Sequence, residues 1–172
     1  VVVNSLPKGT LHVDNNEICS GNQVILTLNL EGKSPFTVNY TMDGNEETYN
    51  YVSNNYTRIF TNVTSDHIYE LRSVEDANGC KVNYTTDAPK DSVSVNILPT
   101  INLTPDTVCV GGEAEIVFTR NTGAGKMTIW YNVQGNAGGS VDIPSGQSEG
   151  RITLSNVTNR TVVQVTAVKD SL

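Results

Sequence analysis

The fold class of this chain follows from one stretch, Ser73-Val74-Glu75-Asp76-Ala77-Asn78-Gly79-Cys80. Val74 precedes the Asn78-Gly79 pair and Val82 follows it. Asn and Gly both tolerate positive φ, so an Asn-Gly pair between apolar residues predicts a tight hairpin turn. The stretch therefore indicates the end of one β-strand, a turn and the beginning of the next strand.

Working outward, the chain contains two copies of one pattern, roughly 90 residues apart. The matched segments share their order and their apolar positions. They are Val3-Asn4-Ser5-Leu6-Pro7 with Val95-Asn96-Ile97-Leu98-Pro99, Cys19-Ser20-Gly21 with Cys109-Val110-Gly111, Phe36–Tyr40 with Met127–Tyr131, Asn62-Val63-Thr64 with Asn156-Val157-Thr158, and Ser73–Asp76 with Ala167–Asp170. We expect residues 1–7 to end a preceding repeat or linker, residues 8–98 to form a first repeat, and residues 99–172 to form a truncated second repeat.

Both copies alternate apolar and polar residues with a period of two, which is typical of half-buried strands. In the first copy we predict strands at Thr10–Asp14, Gln23–Leu30, Pro35–Met42, Glu47–Val52, Tyr56–Thr61, Ile68–Val74 and Ser92–Leu98. In the second we predict Ile101–Thr104, Ala114–Arg120, Lys126–Val133, Gly139–Ile143, Arg151–Ser155 and Thr161–Lys169. The sequence therefore predicts an all-β protein of two tandem Ig-like β-sandwich domains, the second without its last strand.

The alternation also predicts which side chains face the two cores. The first inward set is Val24, Leu26, Leu28, Phe36, Val38, Tyr40, Phe60, Tyr69 and Leu71. The second is Ala114, Ile116, Phe118, Met127, Ile129, Tyr131, Leu154, Val163 and Val165. Trp130 aligns with Asn39 and is predicted to point outward, either flat on a sheet face or at a domain contact, or else as a sugar-stacking or partner-binding residue.

Charge and motifs limit the function classes. The net charge is −7 with 11 basic residues, which argues against nucleic acid as a partner. His12 and His67 lack the spacing of metal ligands, Cys109 has no nearby His-Asn arrangement for a catalytic thiol, and the acidic Asp43-Gly44-Asn45 turn lacks the EF-hand pattern. We therefore predict a non-enzymatic protein without a cofactor or metal.

Three stretches together resemble a known family: Cys19-Ser20-Gly21, Gly32-Lys33-Ser34-Pro35-Phe36-Thr37-Val38-Asn39-Tyr40-Thr41, and Tyr69 through Cys80. They look like the Ig-like repeats of giant secreted surface proteins of Bacteroidetes, including gliding-motility adhesins exported by type IX secretion. The luminal Ig-like repeats of the fungal nuclear pore membrane glycoprotein are similar in frame and form the second match. Residues 11–98 carry the resemblance well and residues 99–172 more loosely.

The bacterial resemblance implies an extracellular or cell-surface location and O-glycosylation at Asp-Ser/Thr-apolar triplets, which places candidate sites at Ser92, Thr107 and Ser171. In a eukaryotic secretory route the Asn-x-Thr sequons would matter instead; they begin at Asn39, Asn55, Asn62, Asn83, Asn102, Asn156 and Asn159.

Cysteines at matching positions of an extracellular array predict a disulfide between Cys19 and Cys80, at the same end of the sandwich. Cys109 is then expected to be unpaired, with its partner after Leu172, and the chain is expected to be a fragment cut inside the repeat frame.

Three functional hypotheses follow. The first is a spacer or stalk segment of a large surface adhesin, with neighbouring Ig-like repeats, surface glycans or a cell-surface anchor as partners. The second is a carbohydrate- or protein-binding module that uses Trp130 and the tyrosines Tyr40, Tyr49, Tyr51 and Tyr56. The third, an enzyme, has no constellation of residues to support it.

Overall fold

The computed structural model describes residues 2–171, and for Tyr51 and Ala137 it describes the backbone alone. Within these residues the chain is all strand and irregular structure, and no helix could span a membrane. The strands are β1 Lys8–Val13, β2 Glu17–Cys19, β3 Val24–Glu31, β4 Phe36–Met42, β5 Asn45–Val52, β6 Asn55–Phe60, β7 His67–Glu75, β8 Lys81–Asn83, β9 Lys90–Asn96, β10 Thr100–Thr104, β11 Gly112–Thr122, β12 Met127–Val133, β13 Asn136–Ile143, β14 Glu149–Val157 and β15 Val163–Asp170. The all-β prediction is confirmed.

The chain divides into two compact units, one up to Asn96 and one from Ile97. In the first unit one sheet has the strand order β1-β3-β6 and the other has the order β2-β9-β7-β4-β5, with β8 also paired to β7. Every pairing is antiparallel except that of β2 with β9, which is parallel. The two sheets bury their facing side chains in a single core, as expected for an Ig-like sandwich.

The core of the first unit follows the predicted alternation. Alternate residues of β3, β4 and β7 are buried, and Phe60 packs against them from β6. Burial of these apolar side chains is the main favourable contribution to the stability of such a fold. The predicted inward set of the first copy is confirmed.

The second unit repeats this arrangement with fewer strands. Its sheets have the orders β10-β11-β14 and β13-β12-β15, which correspond to β1-β3-β6 and β5-β4-β7. Phe118, Met127, Ile129 and Ile143 are fully buried between them, and the remaining predicted inward residues are buried or half-buried. The predicted inward set of the second copy is also confirmed.

Counterparts of β2, β8 and β9 are not found among the strands of the second unit in the described part of the chain. The cause for β2 is visible in the first unit, where its partner among the described residues is β9. A strand of three residues gains ladder hydrogen bonds only when its neighbour is in place, so residues 107–109 remain irregular where no β9-like strand is present.

Candidate functional site

The turn that follows β7 is closed by the side chain of Asp76. Its Oδ1 accepts hydrogen bonds from the backbone N–H groups of Asn78 at 2.9 Å and Cys80 at 3.1 Å. The Gly79 N–H donates to the Asp76 carbonyl at 2.9 Å, and the Asp76 N–H donates to the Cys80 carbonyl at 3.0 Å. The Asp-Ala-Asn-Gly-Cys segment is therefore a carboxylate-capped turn that joins the antiparallel strands β7 and β8, as the sequence predicts.

Asp76 also joins this turn to the loop between β3 and β4. Its Oδ2 accepts a long hydrogen bond of 3.4 Å from the Lys33 N–H, and the Ala77 N–H donates to the Lys33 carbonyl at 2.8 Å. The residue is only 6% exposed. Burial would raise the pKa of the Asp76 carboxyl, but the N–H donors of Cys80, Asn78 and Lys33 outweigh burial and lower the pKa.

Gly32, in the same loop between β3 and β4, allows the segment before β1 to pack closely because glycine has no side chain. Gly32 has φ of +137°, a conformation that L side chains rarely adopt. A Cβ placed there would lie 3.2 Å from Phe36, 3.3 Å from Pro7 and 3.4 Å from the Asp76 Oδ2. Pro7 is buried in this contact. We refer to Pro7, Gly32, Phe36 and Asp76 as the proline clasp of the first unit.

The second unit contains the same clasp, formed by Pro99, Gly123, Met127 and Asp170. Gly123 has φ of +96°, and a Cβ there would lie 3.3 Å from both Met127 and Pro99 and would collide with the Asp170 Oδ2. The Asp170 Oδ1 accepts a hydrogen bond of 3.1 Å from the Gly125 N–H. In both units the clasp therefore fixes the proline that leads into the first strand against the end of the strand that closes the core.

Two further contacts recur at matching positions. Asp14 accepts a hydrogen bond from the Ile25 N–H at 2.8 Å, and Asp106 accepts one from the Glu115 N–H at 3.0 Å. The Gly21 N–H donates to the Val63 carbonyl at 2.8 Å, and the Gly111 N–H donates to the Val157 carbonyl at 2.9 Å. The clasp and these contacts have a structural role, since each joins separate segments of one sandwich.

The predicted disulfide between Cys19 and Cys80 is wrong, because both residues are free thiols. Cys19 lies opposite Asn96 near the end of β9. In the same strand, Val93 lies opposite His67 at the start of β7, so Cys19 is near that end of β7. Cys80 follows the turn at the other end of that nine-residue strand. A strand of this length spans about 26 Å, whereas a disulfide needs Cα atoms within about 7 Å. Cys109 is a free and exposed thiol as well.

The three candidate glycosylation residues Ser92, Thr107 and Ser171 are all exposed. Ser171 accepts a hydrogen bond from the Lys126 N–H at 2.9 Å, so part of its hydroxyl is already used. The aspartates that precede the other two have structural partners. Burial acts to raise the pKa of Asp91, but donors from Val13, Ser92, His12 and Asn16 lower it, and the N–H groups of Glu115 and Thr107 lower the pKa of Asp106. The triplets can therefore be explained without any modification.

Trp130 lies on the outer face of the sheet β13-β12-β15 and is 39% exposed, which agrees with its predicted direction. Its paired neighbours are the small residues Ser140 and Ala167. The candidate tyrosines belong to the first unit, where Tyr49 stacks between buried Tyr40 and half-buried Tyr56. The side chain of Tyr51 lies outside the described residues. Trp130 and these tyrosines therefore belong to different units, and no single unit carries all of them.

The histidines contact single carboxylates. His12 Nδ1 lies 2.7 Å from the Asp91 Oδ2, and His67 Nδ1 lies 2.6 Å from the Asp43 Oδ2. The hydrogen bond from His67 is the largest of the contributions that lower the pKa of Asp43. Within residues 2–171 no group of three or more His, Cys, Asp or Glu side chains is arranged to hold a metal ion.

Comparisons with known proteins agree with this geometry. Residues 9–88 match the family model of the Ig-like domain of nucleoporin POM152. An I-band fragment of titin superposes with a TM-score of 0.57 at 14% identity, covering 91% of this chain and 57% of the fragment. A glutamate-to-alanine variant of a three-Ig titin fragment gives a TM-score of 0.51 at 12% identity, covering 92% of this chain and 63% of that chain. No curated protein matches the sequence.

The chain thus spans 57% and 63% of the lengths of the two titin fragments, and the likeness to them concerns the fold alone. The family match lies within the first unit and includes Gly32 and Asp76 of the proline clasp. Both units are Ig-like β-sandwich modules, and residues 9–88 are similar to the Ig-like domain of nucleoporin POM152.

Proposed function

We propose that the chain is a non-enzymatic spacer, a segment of a longer array of Ig-like units. The observation that supports this proposal is the proline clasp, which recurs where the chain leads into each sandwich. A proline has a fixed φ, and a proline held against a glycine and an aspartate, buried as Pro7 or half-buried as Pro99, has little freedom to move. Such an anchor fixes the point at which the chain enters each unit and leaves only residues 97 and 98 between the first unit and the clasp of the second, which suits a spacer.

The compartment has two candidates. The cysteine, Asp-Ser/Thr and Asp-Ala-Asn-Gly-Cys features resemble the extracellular stalk of a bacterial surface adhesin. The match of residues 9–88 supports a luminal repeat of a nuclear pore membrane glycoprotein. Asn62 and Asn156 are exposed at equivalent positions with φ of 56° and 54°, so sugars could be attached to both without entering a core.

Intact-mass and site-mapping mass spectrometry of the native protein distinguishes the two compartments. Sugar on Asn62 and Asn156 is the result expected for the luminal candidate. Sugar on Ser92, Thr107 or Ser171 is expected for the adhesin. A bare polypeptide mass would argue against both glycosylated arrays.

The spacer function itself is tested by the dimensions of longer arrays. Tandem fusions of one, two and four copies should increase in maximum dimension by a constant step in small-angle X-ray scattering. The matched control replaces Pro99 by Gly, which frees the backbone at the junction and should shorten the mean dimension of every fusion. Fusions that collapse to a compact particle, or a control that changes nothing, would contradict the proposal.

Binding through Trp130 is the second candidate, because an indole that is 39% exposed between Ser140 and Ala167 offers a flat apolar surface. Binding of a glycan or a protein that is lost in Trp130→Ala and retained in Thr128→Ala, on the same strand, would establish it. Equal binding by both variants would exclude this surface.

A further inference from the structure

A half-buried arginine occupies a core-facing position in the first unit. Arg58 of β6 lies opposite Leu26 of β3, and Leu26 is almost fully buried. Directly opposite residues of paired strands point to the same face of a sheet, so the Arg58 side chain starts toward the core. Its neighbours on that face of β6 are Tyr56 and Phe60, which pack against the same core. An ionised side chain in such a place is costly unless its charge has a partner.

The partners of Arg58 in the described part of the chain are aromatic rings. Its Cζ atom lies 5.0 Å from the centroid of the Tyr49 ring on β5 and 5.0 Å from that of the Phe60 ring. These cation–π contacts stabilise the charge but supply no acceptor for the N–H donors of the guanidinium. Among the described residues no carboxylate forms an ion pair with Arg58 and no group accepts a hydrogen bond from it. Arg72 of the same unit, in contrast, pairs with Glu70 at 3.1 Å.

The second unit shows that the sandwich does not require an arginine at this position. The counterpart of Arg58 in β14 is Ile152, and the counterpart of Tyr49 in β13 is Val141, as the matching pairings with the neighbouring strands show. Both aliphatic residues pack against the core of the second unit. The arginine with its aromatic rings is therefore a feature of the first unit and not a condition of the fold.

The arginine lies beside two free sheet edges. Within the described residues β5 pairs with β4 alone, and β6 pairs with β3 alone. The outer edge of each strand therefore has backbone N–H and C=O groups that no other strand uses. Tyr56 of β6 is half-buried, and its ring centroid lies 5.4 Å from that of Tyr49. Guanidinium donors, a partly exposed ring and free backbone groups thus occur together.

A carboxylate is close to the arginine without pairing with it. Burial is the main cause that raises the pKa of the Tyr40 hydroxyl, and of the charges that act on it Arg58 lowers the pKa whereas Glu47 raises it. Arg58 and Glu47 therefore both lie near Tyr40. Together with Glu46, its neighbour in β5, Glu47 repels any ligand that carries several negative charges. The surroundings favour a ligand with one negative charge on an otherwise neutral body.

We propose that this lateral edge of the first unit binds a sugar that carries a single carboxylate, such as a uronic acid residue, through Arg58. The planar guanidinium matches a carboxylate in a bidentate pair. The half-buried Tyr56 ring offers an apolar surface to the sugar ring, and the free backbone groups of β5 and β6 offer partners to its hydroxyl groups. The proposal is independent of the spacer function, since it concerns strands within one sandwich.

Nuclear magnetic resonance titration of the whole chain tests the proposal with methyl glucuronide as the probe. We expect saturable shifts of the Arg58 side-chain Nε–H signal and of the backbone amides of β5 and β6. Methyl glucoside, which has the same ring without the carboxylate, should cause no saturable shift. Arg58→Met should weaken binding of the glucuronide about tenfold or more, because a charge-assisted hydrogen bond is lost. The matched control Arg72→Met should bind like the parent chain.

A further variant separates binding from a merely structural role of the arginine. Glu47→Gln leaves Arg58 in place and removes a like charge from the site, so it should tighten glucuronide binding by about threefold, whether or not Arg58→Met folds. A structural role alone predicts no change. Equal binding of glucoside and glucuronide, equal binding by the parent and a folded Arg58→Met, or an unchanged affinity in Glu47→Gln would overturn the proposal. Tighter binding of inorganic phosphate or of a glutamate-rich peptide would overturn the assignment to a sugar.

Discussion

The variant Gly123→Ala should destabilise the second unit far more than a glycine replacement of the same backbone conformation elsewhere. At Gly123 the new methyl group would collide with the Asp170 Oδ2 and lie 3.3 Å from Met127 and from Pro99. All three neighbours belong to the proline clasp, and a proline and a backbone-anchored carboxylate have little room to retreat. The substitution therefore adds a steric cost to the cost of positive φ.

The matched control is Gly146→Ala, because Gly146 has φ of +78° and a Cβ there has nothing within 4 Å. An L residue at positive φ costs about 1–2 kcal/mol, and this is the whole loss expected for the control. Overpacking at Gly123 adds about 1–3 kcal/mol. The expected total at Gly123 is therefore about 2–5 kcal/mol, and each kcal/mol lowers the melting temperature of so small a domain by about 4–8 °C.

Urea unfolding followed by tryptophan fluorescence isolates the affected unit, since Trp130 is the single tryptophan of the chain and lies in β12. Tyrosine fluorescence at the same time reports mainly the first unit. Equal losses for Gly123→Ala and Gly146→Ala would refute the view that the clasp is tightly packed.

Three other changes have defined outcomes. Asp76→Asn should lower the melting temperature at pH 7. Because folding lowers the pKa of Asp76, the stabilisation by its carboxylate is present above the ordinary carboxyl pKa and is lost as the pH falls. The difference in melting temperature between variant and parent, measured by circular dichroism, should therefore shrink at pH 3, and a constant difference would contradict this. Arg120→Lys should destabilise the second unit by about 2 kcal/mol in urea unfolding followed by Trp130 fluorescence. The guanidinium donates hydrogen bonds to the carbonyls of Gly123, Gly125, Ile143 and Pro144, and a lysine ammonium cannot reach all four. An unchanged urea midpoint would contradict this. Burial, and to a smaller extent the negative charge of Asp43, raise the pKa of Tyr69 to about 12. The stabilisation by the neutral phenol is therefore complete below pH 10 and is lost as the pH rises through 12. Tyr69→Phe should reduce this loss of stability at alkaline pH, and an identical alkaline unfolding transition would refute the assignment.

Much of the fold could be predicted from the sequence, because the signals were local. Strands such as β3 and β4 bury alternate residues of an unbroken apolar pattern, and that pattern is visible in the printed sequence. The repeat itself supplied the correspondence of the two units. The three-residue strand β2 is too short to show a measurable periodicity, so the sequence does not predict it, whereas β8 is indicated by the Asn78-Gly79 turn and Val82.

The contacts between distant segments were harder to predict. Matching cysteine positions suggested a disulfide, but pairing depends on where the strands end, and β7 separates Cys19 from Cys80 by its whole length. The proline clasp is not predicted from the sequence either, although the repeat aligns Pro7 with Pro99 and Asp76 with Asp170. The third pair of the clasp is Gly32 with Gly123. Both glycines have a positive φ, which is seen in the backbone and not in the sequence.

The central claim is that each unit is a self-contained module anchored by its own clasp, and single-molecule force spectroscopy tests it directly. With handles at both ends, the chain should unfold in two separate steps. The span Lys8–Asn96 corresponds to an extended length of about 30 nm and Thr100–Asp170 to about 24 nm. Gly123→Ala should lower the force of the shorter step and leave the longer one unchanged. A single step of the combined length, or a Gly123→Ala variant that weakens both steps equally, would contradict the claim.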